Sequence, residues 1–217
     1  MPSPSRTRIL MTIRLALFAF AGFLLLGNVV INGVSFWVRS TAPSPPAAIS
    51  GIRNFRVVDG HLWRGAAPSD RGYEELAAAG VRTVIDLRAE ENLHVEEARL
   101  AELGLRRVAI PLRDGQTPTA GEVDEFLAAV GAGRGPAFVH CGAGVGRTGT
   151  MVGAYLLATG QGDGWSALRG NLAVGPPSLE QLAFVAGLDD GDRPGPVIVA
   201  ASRVLDAPRR LWSRLRA

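Results

Sequence analysis

The sequence predicts an α/β fold in which a central, partly parallel sheet is flanked by helices. Short apolar runs of strand length alternate with amphipathic segments of helix length between residues 81 and 188. Strands separated by helices pair through crossover connections, which makes the pairs parallel. A second observation is the apolar run at residues 136–140, because a helical pattern over residues 147–159 follows it directly. We also expect a transmembrane helix near the N-terminus.

That N-terminal helix is predicted over residues 15–38, a 24-residue stretch without a charged side chain. At 1.5 Å per residue it is long enough to cross a hydrocarbon layer of about 30 Å. Residues 1–14 form a basic segment in front of it. A buried core helix and a cleaved signal peptide are the alternatives, since Ala-Phe-Ala at residues 19–21 resembles a cleavage site. Because the apolar run continues well past that site, we expect an uncleaved anchor.

The anchor predicts a single-pass membrane protein. Its orientation depends on the arginines that flank the span. Arg6, Arg8 and Arg14 precede it, and Arg39 follows it, with two more arginines by residue 56. The tighter N-terminal cluster favours the N-terminus inside and the folded domain outside.

The rest of the chain divides into a linker, one folded domain and a tail. Residues 39–50 are rich in Pro, Ser and Ala, as extended linkers are. The folded domain is predicted over residues 51–190. Residues 191–217 form a basic tail in which arginines alternate with apolar residues, so the tail is either an amphipathic helix on anionic lipid or a solvated extension.

Within the domain, turn and cap signals delimit the elements. Asp59-Gly60 separates two strand-like runs and predicts a hairpin. Thr119 with Glu122, and Ser178 with Gln181, have the spacing of a capping box at a helix start. The predicted helices cover residues 70–79, 93–103, 119–130 and 178–188, and the predicted strands cover residues 81–87 and 105–110.

Composition excludes several kinds of chemistry. Cys141 is the only cysteine, so neither an intramolecular disulfide nor a cysteine-based zinc site can form. All 23 basic residues are arginine, which excludes lysine Schiff bases. His61, His94 and His140 lack the spacing of metal ligands, and we expect neither a metal nor a cofactor.

The distribution of charge argues against a nucleic-acid partner. Residues 1–49 have four arginines and no acidic residue, and residues 191–217 have six arginines against two acidic residues. Residues 50–190 have 13 arginines against 18 acidic residues, which gives the central domain a net charge of −5. The basic excess therefore lies at the two ends, and the domain has no basic groove for nucleic acid.

The most informative stretch is residues 140–148, which read His-Cys-Gly-Ala-Gly-Val-Gly-Arg-Thr. A strand precedes it and a helix follows it, so Cys141 lies where the chain turns. The glycines leave the loop free to curl, and its N–H groups together with the helix N-terminus favour a bound oxyanion in front of a thiolate. A Walker phosphate loop is excluded, because that motif requires a lysine.

Cys-x5-Arg, with His before it and Thr after it, resembles the signature of the protein tyrosine and dual-specificity phosphatases. Residues 63–68 and 80–88 also resemble the opening segments of small bacterial dual-specificity-like phosphatases. The resemblance covers about residues 52–188. It implies a protein tyrosine phosphatase-like fold and hydrolysis of phosphomonoesters through a phosphocysteine intermediate, without a cofactor. The resemblance to bacterial enzymes also implies that the predicted anchor lies in a bacterial cell membrane.

The residues suggest a role for each part of this site. Cys141 is the expected nucleophile, because a thiolate attacks phosphorus. Arg147 presents a planar fork that can hold two phosphoryl oxygens. His140 should point away from Cys141 and hold the loop, and Thr148 is either a donor to the sulfur or a plain helix-start residue. The predicted phosphate-binding loop comprises Gly142, Ala143, Gly144, Val145, Gly146 and Arg147.

Two further residues are assigned by the resemblance. The leaving group needs a proton from another loop, and Asp114 occupies the position of the family's acid. The alternative for Asp114 is a solvated turn residue. Gln181 resembles the glutamine that orients the hydrolytic water, although it also has a capping role.

The expected substrate is a phosphoprotein, carrying phosphotyrosine and also phosphoserine or phosphothreonine. A phosphoinositide or other phospholipid is the alternative, although residues 142–146 lack the basic side chains common in phosphatases of polyphosphorylated lipids. A thiol-based arsenate or sulfur-transfer enzyme and a non-catalytic phosphate-binding module are the remaining alternatives.

Overall fold

The computed structural model describes residues 6–43, 48–89 and 94–214. It confirms an α/β fold in which a five-stranded sheet is flanked by helices. The strands are β1 (Arg56–Val57), β2 (Leu62–Ala66), β3 (Thr83–Arg88), β4 (Arg106–Leu112) and β5 (Ala137–Cys141). The helices are α1 (Arg6–Thr41), α2 (Asp70–Ala78), α3 (His94–Glu102), α4 (Ala120–Gly131), α5 (Gly146–Ala158), α6 (Gly164–Leu172), α7 (Leu179–Ala186) and α8 (Pro196–Arg214).

The sheet is parallel except at one edge. Its strand order is β1-β2-β5-β3-β4, with β1 antiparallel to β2 and the other pairs parallel. The predicted hairpin and the partly parallel sheet are therefore confirmed. Because β5 lies between β2 and β3, its last residue, Cys141, pairs with Ala66 and emerges at the centre of the sheet's carboxyl edge.

Both faces of the sheet are covered, which explains why all six residues of β3 and all five of β5 are buried. On one face, Ile85 and Val139 pack in a cluster with side chains of α4 and α5. On the other face, Val84 and Phe138 pack in a cluster with side chains of α2 and α3. Consecutive residues of a strand thus enter opposite cores, as the two-residue period requires.

Cap and turn residues predicted the ends of most helices to within a few residues of the observed ends. Thr119 and Ser178 are N-caps of α4 and α7, and both predicted capping boxes are present. Helix α6 was not predicted, because its N-cap Asp163 is followed at the third helical position by Ser166 and not by the Glu or Gln of a capping box. Some predicted positions lie outside the described residues. They are the predicted start of α3 at residue 93 and, in the predicted flanking segments, residues 1–5, 44–47 and 215–217.

Helix α1 is a candidate membrane span by length and composition. Within residues 8–41, the most apolar stretch of 18 residues has a mean hydropathy of 2.3. Its C-terminal half also contacts the folded domain. Ser35 is fully buried and donates a hydrogen bond from its hydroxyl to the Leu172 carbonyl of α6 (2.9 Å). Gly27 faces Leu205 of α8, where a Cβ would come within 2.7 Å of Leu205 Cδ2.

The basic tail contains a helix, α8, whose N-terminal half also packs on the protein. Leu205 and Ser202 are buried, and the Ser202 hydroxyl accepts a hydrogen bond from the Glu180 N–H (3.0 Å). Part of the apolar face predicted to contact lipid is therefore used inside the protein. The side chains of residues 208–214, and all of residues 215–217, lie outside the described residues, so lipid contact by the tail remains a prediction.

The contact at Gly27 predicts which helix positions tolerate a large side chain. Gly27→Leu should destabilise the domain by about 1–3 kcal/mol, because the new side chain must displace Leu205. Gly22→Leu is the matched control, because a Cβ at Gly22 has no neighbour within 4 Å. Thermal unfolding of the full chain in detergent measures the difference. Equal melting temperatures for the two variants would show that α1 does not pack on α8.

Candidate active site

The loop that follows β5 surrounds the sulfur of Cys141. Residues 142–145 connect β5 to α5, and the Gly144 N–H donates to Cys141 Sγ (3.3 Å). Cys141 is buried, at 3% exposure, yet it lines an open pocket of about 290 Å³. An N–H directed at sulfur stabilises the thiolate relative to the thiol. The local geometry is therefore suited to a nucleophilic sulfur.

Two glycines of the loop are required by close packing. Gly144 has a φ of +71°, and a Cβ there would clash with the backbone of Gly65 and Ala66 at the end of β2. A Cβ at Gly146 would clash with the side-chain amide of Gln181. At Gly142, by contrast, the nearest atom to a Cβ is Arg147 Nη2 at 4.0 Å. The loop is thus shaped by contact with β2 and α7.

The guanidinium of Arg147 is fixed by backbone carbonyls. Arg147 lies in the first turn of α5 and is buried. Its Nη1 donates to the carbonyls of Leu112 (3.1 Å) and Leu87 (3.4 Å), at the ends of β4 and β3. Its Nη2 lies 3.6 Å from Asp114 Oδ1. The cation is therefore held at the carboxyl edge of the sheet, on the wall of the pocket that contains Cys141.

Asp114 reaches the same pocket from the turn after β4. Gly115, with a φ of +77°, allows the tight turn there, and the Asp114 side chain remains 45% exposed. The structure therefore brings Cys141, Arg147 and Asp114 together, with the sulfur deep in the pocket and the carboxylate nearer solvent.

Gln181 combines its capping role with a place in the pocket wall. Its Oε1 accepts from the Ser178 N–H (3.1 Å), which completes the capping box of α7. Its Nε2 donates to the Gln116 carbonyl (3.2 Å) in the loop that carries Asp114. Gln181 therefore links α7 to that loop, and its role toward a water molecule remains a prediction.

His140 lies on the opposite face of β5 from Cys141. It is fully buried, stacks on Phe138 with ring centroids 5.8 Å apart, and has its Nδ1 3.4 Å from the Cys141 carbonyl and 3.9 Å from Asp86 Oδ1. Burial by itself raises the pKa of Asp86, but hydrogen bonds from Arg88 and the interaction with His140 outweigh it and lower that pKa to about 2. Asp86 is thus the charged group next to His140.

Thr148 is fully buried one residue after Arg147. In the part of the chain that the structure describes, its hydroxyl has no hydrogen-bond partner. A donation from Thr148 to the sulfur therefore remains a prediction.

Among the residues that the structure describes, no group of three or more His, Cys, Asp or Glu side chains is arranged to hold a metal ion.

Sequence reasoning missed two residues behind the loop. Arg64 of β2 donates from Nη2 to the Gly144 carbonyl (2.9 Å) and to Asn171 Oδ1 of α6 (3.2 Å). Both side chains are buried. The available signal was an arginine within a short strand next to the most apolar part of the sheet. Asn171 had no signal, because α6 itself was not predicted.

Comparison with known proteins agrees with this geometry. Residues 53–187 match the family model described as "DSP-PTPase phosphatase fused to NAD+ Kinase". The chain belongs to the DSP-PTPase phosphatases. The match includes Cys141, Arg147 and Asp114, and it confirms the family that the Cys-x5-Arg loop had indicated.

Relatives of this phosphatase-family chain include two curated proteins. It is 33% identical over 97 residues to the probable NAD kinase 2, chloroplastic, of Oryza sativa subsp. japonica, which is 42% of this chain and 10% of the rice protein. It is 41% identical over 59 residues to the dual specificity protein phosphatase CDC14B of Mus musculus, which is 27% of this chain and 12% of the mouse protein. The chain thus matches about a tenth of these relatives' lengths.

Among solved structures, TpbA of P. aeruginosa has a similar fold. The TM-score is 0.56 at 21% sequence identity, over 77% of this chain and 98% of TpbA. The phosphatase-like fold predicted from the sequence is therefore confirmed.

The glycine contacts predict unequal effects of two alanine substitutions in this DSP-PTPase loop. Gly144→Ala should weaken the binding of inorganic phosphate by tenfold or more, at about 1.4 kcal/mol per tenfold, because the left-handed φ and the clash with Gly65 both displace the loop. Gly142→Ala is the control and should keep the fold and the affinity within about threefold. Titration calorimetry with phosphate measures both. Similar affinities for the two variants would contradict the packing described for Gly144.

Proposed function

We propose that the protein is a membrane-anchored phosphatase that hydrolyses phosphomonoesters through a phosphocysteine intermediate. The observation that carries the proposal is the pocket in which Cys141 Sγ faces the buried Arg147 and the more exposed Asp114. A nucleophile, a fixed cation and an acid on a separate loop are the three groups that this hydrolysis requires.

In the first step the Cys141 thiolate attacks phosphorus. The S–P bond forms, the bond between phosphorus and the ester oxygen breaks, and the leaving oxygen takes the proton of Asp114. The loop N–H groups and the Arg147 guanidinium hold the three remaining oxygens, whose charge shifts in the transition state. Because Arg147 is already held by the Leu87 and Leu112 carbonyls, little reorganisation accompanies the step.

In the second step water replaces the cysteine. The Asp114 carboxylate takes a proton from water, the oxygen attacks phosphorus, and the S–P bond breaks to release phosphate and the thiolate. Gln181 lines the same pocket, and its Nε2 already donates to the Asp114 loop, so one remaining N–H is available to a water. In this scheme Asp114 acts in both steps.

For the substrate we propose phosphoproteins, with phosphotyrosine as the principal residue and phosphoserine or phosphothreonine also accepted. The pocket walls beyond Arg147 and Asp114 are neutral, and include Ala143, Pro176 and Pro177. A second phosphate, as on a polyphosphorylated lipid, would find no cation among loop residues 142–146. TpbA, which shares the fold, has also been solved in complex with pTyr. A phospholipid is the second candidate, since an anchored site lies near headgroups.

For the location we propose a single-pass protein of a bacterial cell membrane, with the N-terminus inside. The support is the apolar composition of α1 and the arginines before residue 15. The linker, the domain limits at residues 51–190 and lipid contact by the tail remain parts of the same proposal.

The nucleophile is tested by Cys141→Ser. Because a serine hydroxyl at neutral pH is a far weaker nucleophile than a thiolate, hydrolysis of an aryl phosphate should fall by about 10⁴-fold or more. Phosphate-induced thermal stabilisation should persist, because Arg147 and the loop N–H groups are retained. Full activity of the variant would refute the phosphocysteine mechanism.

The acid is tested by Asp114→Asn. With a phosphotyrosine peptide, kcat should fall by about 10²–10⁴-fold, the usual contribution of a general acid. With an aryl phosphate whose phenol is strongly acidic, the loss in formation of phosphocysteine, measured as a burst, should be much smaller. Asp124→Asn is the control, since Asp124 is exposed on α4. Equal losses with both leaving groups would exclude Asp114 as the proton donor.

The substrate class is tested with a panel at equal phosphate concentration. We expect kcat/KM to be highest for phosphotyrosine peptides, lower for phosphoserine and phosphothreonine peptides, and lowest for polyphosphorylated inositol lipids. A preference for the lipids would replace the proposed substrate with the second candidate. Activity on arsenate or thiosulfate, but not on esters, would exclude a phosphatase.

A further inference from the structure

Arg64 is a buried cation directly behind the phosphate-binding loop. It lies on β2, paired in register with Val139 of β5, and it is 4% exposed. In the ranges that the structure describes, no carboxylate forms an ion pair with its guanidinium. Burial lowers the pKa of Arg64 to about 10, although the charge of Cys141 acts in the opposite direction. A buried arginine without an acidic partner is costly to the fold, so its contacts call for a functional explanation.

Two of the contacts of Arg64 are with carbonyls of the loop itself. Its Nη2 lies 2.9 Å from the Gly144 oxygen and 3.4 Å from the Val145 oxygen. A trans peptide is planar, and its C=O and N–H point in opposite directions. When the Gly144 and Val145 carbonyls turn toward Arg64, the N–H groups of Val145 and Gly146 therefore turn away from it. Val145 and Gly146 both line the pocket in front of Cys141.

Asn171 fixes the side chain of Arg64 from the other side. Its Oδ1 accepts from Arg64 Nη2 (3.2 Å), and its amide fills the space over Gly149 of α5, where a Cβ would clash with it. Asn171 is 2% exposed and lies near the end of α6. The next two carbonyls of the chain are also bonded, Leu172 to Ser35 of α1 and Ala173 to Arg56 of β1. This end of α6 is therefore held in place by three separate elements.

We propose that Arg64 and Asn171 are positioning residues that hold the Val145 and Gly146 N–H groups toward the bound oxyanion. The inference rests on the proposed function for its effect on turnover, but its effect on phosphate binding does not depend on turnover. Arg64 acts through the loop and does not touch the substrate. A role confined to stability would reduce the amount of folded protein and leave the affinity of the folded fraction for phosphate unchanged.

The chain offers a matched control for Arg64. Arg82 precedes β3, is exposed, and donates to two backbone carbonyls that lie outside the loop, those of Ala77 (2.9 Å) and Val81 (2.6 Å). Arg82→Met removes a guanidinium bonded to backbone carbonyls without releasing a loop carbonyl. Arg64→Met makes the equivalent change at the loop, and Arg64→Lys keeps one charged donor that can reach one carbonyl.

The test uses the full chain in detergent, with inorganic phosphate as the binding probe and an aryl phosphate for turnover. For folded Arg64→Met we expect phosphate affinity to fall by tenfold or more, and kcat by about 10²-fold, as when an oxyanion donor is misplaced. Arg64→Lys should recover part of both losses. Arg82→Met should keep phosphate affinity within about twofold of that of the unsubstituted protein.

Phosphate affinity and KM unchanged in folded Arg64→Met would overturn the proposal, as would an equal loss in Arg82→Met. If Arg64→Met does not fold, Asn171→Ala and Asn171→Asp decide the matter. The alanine removes the acceptor for Arg64 and should weaken phosphate binding, whereas the aspartate keeps an acceptor and should bind phosphate more tightly than the alanine variant. If both Asn171 variants bind phosphate as tightly as the unsubstituted protein does, the proposal is overturned. If the unsubstituted protein binds phosphate but hydrolyses no ester, only the proposed function is refuted.

Discussion

The close approach of the loop to the end of β2 determines the shape of this site. Gly144 lies so near the backbone of Gly65 and Ala66 that a side chain is excluded, and its carbonyl is bonded to Arg64 of the same strand. The position of β2 beside β5 therefore affects the loop as well as the pairing of the strands. It provides the surface on which the loop is folded, and this in turn directs the Gly144 N–H at the sulfur of Cys141. A site that binds an anion through backbone donors depends on such a rigid support.

Buried charge around the site is divided between the two faces of the sheet. On the face away from the sulfur, Asp86 accepts hydrogen bonds from Arg88 and Arg107 and interacts with His140, so anion and cations compensate one another. On the sulfur side, the cations Arg64 and Arg147 are bonded mainly to backbone carbonyls. Carbonyl dipoles offset the cost of burying a cation but leave its net charge in place. Two buried cations therefore lie on the side of the sheet where the pocket opens.

Sequence reasoning succeeded where the controlling interactions are local. The capping boxes at Thr119 and Ser178, the Asp59-Gly60 hairpin and the spacing of Cys141 and Arg147 depend on residues a few positions apart. It failed for the contact between Arg64 and Asn171, because these residues are 107 positions apart and α6 has no standard capping sequence. The strand order was likewise inaccessible, since β5 inserts between β2 and β3 through contacts that no local pattern encodes. The residues that line the pocket were thus predictable, and the residues that support the loop behind it were not.

The same distinction applies to α1. Its composition indicates a membrane span but does not reveal where the helix leaves the hydrocarbon layer. Ser35 is buried with its hydroxyl on the Leu172 carbonyl, Val38 is buried, and Gly27 touches Leu205, so one side of the C-terminal half of the helix is occupied by protein. A polar hydroxyl bonded to α6 is a contact of a folded domain, and lipid cannot replace it. Since Leu172 directly follows Asn171, α1 contacts the segment that supports Arg64 and the loop. The candidate membrane span and the support of the loop therefore share one element, α6.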